Sequence, residues 1–369
     1  EIVSRDWSSD VCSSDLRLLN DANLAADRAA LVTALQQRQA PTVVVSPEVG
    51  FSIVPDNALA RRFRDAAGLL HQEVARIARS VTLVVAFSPG GATDLITRIV
   101  AKELSAQFDK QVITDNRAGG GGVIGWNAVA RAAPDGYTVL ATELSFAIAA
   151  GLIPNLPFDP RKDYIHVTTA TTVPHVLVVT PSLPVKSVKE FIALAKARPN
   201  ELNYGSGGNG TNTHLGSELL KNLTGIKMTH VPYKGAGAVL QDLMGGQVQA
   251  LVSAVPTVVP YVNAKRLRAL MVTDEKRTKV LPDTPSAAEA GLPKMNMQFW
   301  VGFALPATTP QPIVDRLQQG LVAALNSQEA KKRFAEMGVE TVANSPAQAT
   351  KLVLARTLGL MGISAPESM

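Results

Sequence analysis

The hydrophobic pattern of the chain becomes regular near residue 81. Residues 81–87 form an unbroken apolar run rich in β-branched side chains, which predicts a buried strand. A Ser-Pro-Gly-Gly turn at 88–91 follows, and apolar positions at helical spacing over 92–104 predict an amphipathic helix. Such a connection aims backbone N–H groups at one point, where the helix dipole favours negative charge. The segment therefore predicts either an anion site or a tight connection that binds nothing.

The same order of strand, glycine turn and helix recurs along the chain. A strand at 112–114 leads to the glycines 119–122 and to a helix from about 124 to 132, and the next strand lies at 137–142. A further strand is predicted at 176–179, and a capping box at Ser187 starts another helix. Strands that alternate with helices indicate an α/β fold with a largely parallel sheet.

A second glycine loop resembles the first in its chemistry. The short strand 202–204 is followed by a Gly, Ser, Asn and Thr segment at 205–213, which opens a helix. This is a second candidate anion site. Two such loops, more than one hundred residues apart, suggest two lobes that face one cleft.

Composition narrows the range of partners. The chain has 369 residues, 46% of them hydrophobic and 18% charged, as in ordinary globular proteins. Its net charge of +5 is spread out and only 5% of residues are aromatic, so we expect no nucleic-acid partner. One cysteine, Cys12, and five histidines without ligand spacing predict no disulfide framework and no metal site. We also expect no cofactor, no membrane span and no signal peptide in the chain as written.

The first eighty residues differ from the rest. Residues 6–16 resemble a translated sequencing adapter, so we interpret 1–16 as an artefact. Residues 17–80 resemble a C-terminal fragment of the adenosylcobinamide kinase/guanylyltransferase family, and the segments 44–55 and 57–65 carry the match. The phosphate-binding pattern G-x-x-x-x-G-K-[ST] occurs nowhere in the chain, so we expect no nucleotide triphosphate site.

From about residue 82 to 350 the chain resembles the extracytoplasmic solute receptors of tripartite tricarboxylate transporters, the Bug family. The matching motifs occur in order at 82–94, 115–120, 133–137, 203–211, 230–235 and 243–248. The resemblance implies a two-lobed periplasmic-binding-protein (Venus flytrap) fold, preceded here by the unrelated α/β fragment. It implies a periplasmic receptor, not an enzyme, that captures a small organic carboxylate and delivers it to the membrane permease subunits. We expect a monomer.

The resemblance also implies lobe boundaries and site residues. Lobe 1 would comprise 81–180 plus 298–369, and lobe 2 would comprise 181–297. The first lobe would bind through Phe87, Ser88, Pro89, Gly90, Gly91 and Asp94, with Thr142 and Ser145 nearby. The second would bind through Ser206, Gly207, Gly208, Asn209, Thr211 and His214, with Ser253 lining the cleft.

Two of these residues could have a structural role instead of contacting the ligand. Asp94 is expected to cap the N–H groups of its own loop. His214 is either a ligand contact or a packed helix residue. Neither loop contains Arg or Lys, so backbone donors and hydroxyls would bind the carboxylate. The chain departs from the family pattern in two places. The unrelated segment stands where the family has a signal peptide, and the pattern of the family's C-terminal helix fades after about Lys351.

Three other readings stay open at this point. A dinucleotide-binding oxidoreductase would use Gly120, Gly122 and Gly125, with Glu143 as the ribose-binding acid. Residues 115–118 separate those glycines from their strand, which argues against it. A serine hydrolase would use Ser206, although its motif lacks the leading glycine of a nucleophile elbow. The full chain could also be a conceptual translation, joined through residues 81–86.

Overall fold

The computed structural model describes residues 80–351. The predicted artefact at 1–16, the cobinamide-kinase-like fragment up to residue 79 and the tail after Lys351 lie outside the described residues. Within them, the strands are β1 (Val81–Val85), β2 (Val112–Asn116), β3 (Thr138–Glu143), β4 (Tyr164–Val179), β5 (Asn203–Ser206), β6 (Thr229–Pro232), β7 (Ala250–Ala254), β8 (Arg268–Val272), β9 (Gln298–Pro306) and β10 (Glu340–Thr341). The helices are α1 (Ala92–Phe108), α2 (Val123–Ala130), α3 (Leu144–Leu152), α4 (Val188–Ala197), α5 (Asn212–Thr224), α6 (Ala236–Met244), α7 (Val255–Asn263), α8 (Gln311–Asn326) and α9 (Gln328–Glu336).

One long strand connects two groups of strands. The sheet order is β2-β1-β3-β9-β4-β7-β5-β6, and β8 and β10 also pair with β4. Up to Pro174, β4 pairs with β9. From His175 onward it pairs with β7 and, from Val176, with β8. We call β1, β2, β3, β9 and the first part of β4 the first sheet half, and β5 to β8 with the rest of β4 the second sheet half.

The prediction of a largely parallel sheet is wrong at the centre. β1 is parallel to β2 and β3, and β5 is parallel to β6 and β7. β4, however, is antiparallel to β9, β7 and β8, and β3 is antiparallel to β9. The physical reason is connectivity: β4 carries the chain from the first half to the second, and β9 returns it, so the two run in opposite directions.

Local sequence explains the elements around the site. Helix α1 buries Ile96, Val100 and Leu104 at helical spacing against the sheet. The capping prediction at Ser187 is confirmed, since its side chain accepts a hydrogen bond from Glu190 N at 3.2 Å. Gly125 permits α2 to approach β1 closely, because a Cβ there would lie 2.7 Å from the Cα of Ala86.

The hydrophobic core is continuous between the two halves. Its largest cluster joins Leu83 and Ile96 of the first half to Leu251 of the second and Val258 of α7. A separate aromatic cluster includes Trp126 of α2, whose ring meets that of Phe146 edge to face at 5.5 Å between centroids.

Candidate functional site

A cavity lies where the two sheet halves meet. Its walls come from the ends of β3 and β7, from the start of β9 and from the segments that follow β1, β5 and β6. About 40 Å³ of its space is open to the centre of a water molecule, enough for a few waters. The lining residues are Phe87, Ser88, Gly91, Ala92, Thr93, Asp94, Glu143, Gly207, Thr211, Asn212, Thr213, Ala236, Ser253, Ala254, Thr257 and Phe299.

Five helices begin at this cavity: α1, α3, α5, α6 and α7. Each contributes its N-cap or a first-turn residue to the wall. At four of them the N-cap residue makes no side-chain capping bond; these are Gly91, Thr211, Gly235 and Ala254. The partial positive charges of the helix N-termini favour an anion between them. The lining residues named above include no Lys and no Arg, so this positive potential comes from the backbone.

Asp94 holds the first loop in place. The side chain is almost fully buried, and its carboxylate accepts a hydrogen bond from Gly90 N at 3.0 Å, as the sequence predicts. It also accepts from Arg98 Nε at 3.0 Å and from Asn116 Nδ2 at 2.9 Å. Because Arg98 balances its charge, Asp94 is a structural part of the cavity wall.

The second loop is closed by its own hydroxyl groups. The Thr211 hydroxyl donates to Gly208 O at 2.7 Å, and Gly207 N donates to Thr213 Oγ1 at 2.7 Å. Ser206 Oγ accepts from Gly208 N at 3.1 Å. The hydroxyls of Thr211 and Thr213 therefore serve the loop itself, which brings the start of α5 to the cavity.

Hydrogen bonds join the first loop to elements of the second sheet half. Ser88 N donates to Lys234 O at 2.9 Å. Ala92 N, at the start of α1, donates to Thr257 Oγ1 on α7 at 3.0 Å. These contacts seal one side of the cavity.

Close backbone packing at Gly237 continues this seal. A Cβ at Gly237 would lie 2.3 Å from Pro89 O and 2.9 Å from Gly91 N. Only glycine at this position lets the start of α6 approach the first loop so closely.

A buried polar network centred on Asn212 forms another part of the cavity wall. Asn212 Nδ2 donates to Glu143 Oε2 and to Ser145 Oγ, both at 2.9 Å, and Asn212 N donates to Ser145 Oγ at 3.0 Å. On its other side, Asn212 Oδ1 lies 2.9 Å from His175 Nε2. Burial lowers the pKa of His175, so its imidazole is neutral and donates to Asn212 through Nε2. The network links β3 and α3 to α5 and to the point of β4 where its pairing changes.

Three buried side-chain oxygens at the cavity have no hydrogen-bond partner among the described residues. They are Ser88 Oγ, Ser253 Oγ and Glu143 Oε1. Buried polar atoms are rarely left unpaired, and each such atom calls for an explanation. A ligand that hydrogen-bonds to all three would supply one.

The structure brings part of the predicted site together. The predicted residues that line the cavity are Phe87, Ser88, Gly91, Asp94, Gly207, Thr211 and Ser253. The others do not line it but support the wall or pack elsewhere; these are Pro89, Gly90, Thr142, Ser145, Ser206, Gly208, Asn209 and His214. His214 stacks on His230 at 4.1 Å between ring centroids, and its Nδ1 accepts from Gly210 N.

Sequence reasoning missed several lining residues. Asn212 lies in the predicted second loop but is not among the predicted site residues, and Glu143 is predicted only as a ribose-binding acid. Thr257 and Ala236 lie in the first turns of two helices, and the sequence before these helices predicts an anion site less clearly than the two glycine loops do. The glycines 235 and 237 were the one available signal for α6, since paired glycines before a helix mark a close approach.

The two enzymatic readings do not fit this geometry. The glycines 120, 122 and 125 of the dinucleotide pattern do not line the cavity that Glu143 lines, so they and Glu143 do not form one cofactor site. Ser206 Oγ does lie 2.6 Å from His230 Nε2, as a nucleophile lies beside its base. Ser206 is fully buried away from the cavity, however, and a substrate has no access to it.

Within residues 80–351, no group of three or more His, Cys, Asp or Glu side chains could hold a metal ion. None of the helices described is long and apolar enough to cross a membrane.

Comparison with known proteins agrees with the fold. A family model described as the tripartite tricarboxylate transporter family receptor matches residues 96–358. The periplasmic binding protein BugD is 29% identical, with a TM-score of 0.73 over 77% of this chain and 97% of that chain. MatC from Rhodopseudomonas palustris with bound malate is 31% identical, with a TM-score of 0.73 over 76% of this chain and 96% of that chain. Rpa4515 of R. palustris with adipate is 35% identical, with a TM-score of 0.72 over 78% and 98%.

The fold and these matches thus define a two-lobed solute-binding receptor of the periplasmic-binding-protein class, not an enzyme. The chain belongs to the receptor family of the tripartite tricarboxylate transporters, the Bug family, which confirms the resemblance seen in the sequence.

The N-terminal region has a different origin. A cobinamide kinase / cobinamide phosphate guanyltransferase model matches residues 7–90. Two unrelated families therefore match two parts of the chain, which confirms the prediction of a chimeric sequence.

Proposed function

We propose that the chain captures a small organic acid by closing its two lobes over one carboxylate group of the ligand, at the cavity described above. The observation that carries the proposal is the set of three unpartnered buried oxygens, on Ser88, Ser253 and Glu143, at one cavity. Ser88 follows β1 and Ser253 lies in β7, so a single bound group would connect the two sheet halves.

The electrostatics of the cavity support an anionic group. Helix N-termini at partly buried sites favour an anion by about 0.3–2 kcal/mol each. Hydrogen bonds from neutral donors to a charged group contribute about 1.5–3 kcal/mol each. The two serine hydroxyls and a few N–H groups at the helix starts are enough for a micromolar dissociation constant, about −8 kcal/mol.

The relatives suggest the ligand class. Malate and adipate, bound by the two R. palustris proteins, differ in length and substitution but share a terminal carboxylate. We propose the same class of ligand for this chain, with one carboxylate in the cavity between the glycine-rich loops. The proposal includes lobes at 81–180 plus 298–369 and at 181–297, a periplasmic location, a monomeric state and delivery to membrane permease subunits.

Isothermal titration calorimetry of the full chain with acetate, malate, adipate and citrate tests the proposal. Ser253→Ala removes a hydroxyl that makes no hydrogen bond within the described residues, so the ligand-free chain should lose no stability. Its carboxylate affinity should fall about tenfold or more, because one donor to a charged group is lost.

Ser105→Ala is the matched control. Its Oγ lies away from the cavity, donates to Ala101 O at 2.8 Å and accepts from Val112 N at 3.0 Å. This variant should lose stability and keep its carboxylate affinity. If the wild type bound none of the four acids, or if Ser253→Ala bound them as tightly as the wild type, the proposal would fail.

A further inference from the structure

Glu143 is the most unusual group at the cavity. It ends β3, caps α3 and is fully buried. Its two carboxylate oxygens have different surroundings. Oε2 accepts hydrogen bonds from Ser145 N at 2.8 Å and from Asn212 Nδ2 at 2.9 Å, whereas Oε1 has no partner among the described residues.

Among residues 80–351, no Lys, Arg or His side chain forms an ion pair with Glu143. The other carboxylate at the cavity, Asp94 on α1, is paired with Arg98. The nearest titratable group on β4 is the imidazole of His175, which reaches Glu143 only through Asn212. Helix α3 and the neighbouring strands β1 and β9 contain no titratable residue.

The remaining charged groups on α5 lie on its opposite face. His214, Glu218 and Lys221 form a cluster around the ring of Tyr204, where Lys221 Nζ donates to Glu218 at 2.7 Å. The helices α6 and α7 add only Asp242, which accepts from Tyr233, and Tyr261. The protonation of Glu143 is therefore set by its own burial, its hydrogen bonds and whatever enters the cavity.

The position of a proton on Glu143 follows from these contacts. Oε2 already accepts from two N–H groups, so a proton belongs on the free oxygen, Oε1. Ionised, Oε1 would present an unbalanced negative charge to an incoming carboxylate. Protonated, it would present an O–H donor instead.

We infer that Glu143 binds the ligand as a neutral carboxylic acid whose Oε1–H donates a hydrogen bond to the ligand carboxylate, so that capture of the anion in alkaline solution, where Glu143 of the free chain is ionised, takes up one proton from solvent. This inference rests on the proposed function. The same chemistry gives Glu143 a role in specificity, because the site then accepts a carboxylate without an arginine partner.

Glu143 changes its protonation state near neutral pH. Burial raises the pKa of Glu143 to about 7, although hydrogen bonds from Ser145, Asn212 and Phe146 act in the opposite direction. An anion bound beside Oε1 raises that pKa further, because like charge disfavours the ionised form. The dissociation constant should therefore stay flat below about pH 7 and rise by up to about tenfold per pH unit above it.

The test is calorimetry of the full chain with the tightest binder among acetate, malate, adipate and citrate, from about pH 6 to about pH 9. Comparing the binding enthalpy in phosphate and in Tris counts the protons taken up, because the two buffers have different ionisation enthalpies. The wild type should take up close to one proton above about pH 8, and this readout needs no variant. Glu143→Gln keeps a donor in place of the protonated oxygen, so its affinity should be nearly independent of pH and close to that of the wild type near pH 6.

Glu218→Gln serves as the control, because Glu218 lies outside the cavity; it should retain the pH dependence of the wild type. If carboxylates bound the wild type with no proton uptake and no pH dependence, the inference would be overturned while the proposed function stood. Affinity that rose with pH would also overturn it, since Glu143 would then act as an ionised acceptor for a donor on the ligand. If the wild type bound none of acetate, malate, adipate and citrate at any pH, both proposals would fail.

Discussion

Asn212 holds the buried network together, and its replacement by alanine is the most informative change. The side chain of Asn212 donates to Glu143 and Ser145 and lies 2.9 Å from His175 Nε2. Asn212→Ala removes all three side-chain hydrogen bonds but leaves the bond from its backbone N–H to Ser145. We expect the chain to lose stability chiefly because Glu143 and His175 remain buried with fewer partners.

The expected loss can be worked out from these contacts. A hydrogen bond between neutral groups contributes about 0.5–1.5 kcal/mol net, one to a charged group about 1.5–3 kcal/mol, and a partner left buried and unpaired costs about 1–3 kcal/mol. His175 loses its Asn212 contact, and Glu143 Oε2 keeps only Ser145 N of its two N–H donors. Asn212→Ala should therefore lower the free energy of unfolding by about 3–5 kcal/mol, a large part of a typical total of about 5–15 kcal/mol.

The loss should also depend on pH. The Asn212 hydrogen bond lowers the pKa of Glu143, so its removal disfavours the ionised carboxylate. The difference between variant and wild type should thus be larger near pH 8, where Glu143 must ionise, than near pH 5, where it is protonated in both.

Urea unfolding of the full chain, followed by tryptophan fluorescence at about pH 5 and about pH 8, measures both effects. Asn326→Ala is the matched control, because Asn326 is exposed and its side chain makes a single bond, to Val322 O. It should change the free energy of unfolding by about 0.5 kcal/mol or less. A loss below about 1 kcal/mol for Asn212→Ala, or an equal loss at both pH values, would refute this reasoning.

Three further predictions concern the surroundings of the site. Gly237→Ala should weaken carboxylate binding in calorimetry and lower the melting temperature, although alanine normally favours a helix by up to about 1 kcal/mol, because the new Cβ would lie 2.3 Å from Pro89 O. Burial lowers the pKa of His166 to about 4, so the unfolded chain binds a proton there more readily than the folded chain. The free energy of unfolding should therefore fall by up to about 1.4 kcal/mol per pH unit as the pH drops below about 6.5. His166→Leu should flatten that slope in urea unfolding. Tyr164→Phe deletes a 2.8 Å hydrogen bond to Trp126 O and should cost about 1 kcal/mol in thermal unfolding.

Each of these has a control or a contradicting result. Gly291→Ala adds a Cβ in open space and should leave carboxylate affinity unchanged. An undiminished acid slope in His166→Leu would show that another group causes the loss. Tyr261→Phe removes a hydroxyl with no hydrogen bond in the described part of the chain and should be neutral, so equal losses in the two tyrosine variants would contradict the role of the bond to Trp126.

The fold is predictable from the sequence where its signals are local. The units β1 with α1 and β5 with α5 were found because an apolar strand, a glycine turn and a periodic helix lie next to one another in the chain. The long strand β4 was predicted only at 176–179, because its first part is rich in threonines that are buried against β9 although they are polar. Its direction relative to β9 depends on contacts between distant segments, which no local pattern reports.

The same limit applies to the site. Ser88, Gly91 and Thr211 could be named because they lie in the glycine loops, and Ser253 through the family resemblance. The roles of Glu143 and Asn212 could not be predicted in this way.

 Glu143 and Asn212 stand 69 positions apart in the sequence and meet only when the two sheet halves come together. Nothing near either residue in the sequence shows that the carboxylate of one will accept from the amide of the other.

The central claim is that one carboxylate group binds between Ser88 and Ser253. A crystal structure of the full chain with the tightest binder among malate, adipate, acetate and citrate tests it most directly. We predict a carboxylate in the cavity with its oxygens within about 3.2 Å of Ser88 Oγ, Ser253 Oγ and Glu143 Oε1. A ligand bound elsewhere, or one whose carboxylate lies outside the cavity while these three oxygens stay unpartnered, would contradict the account.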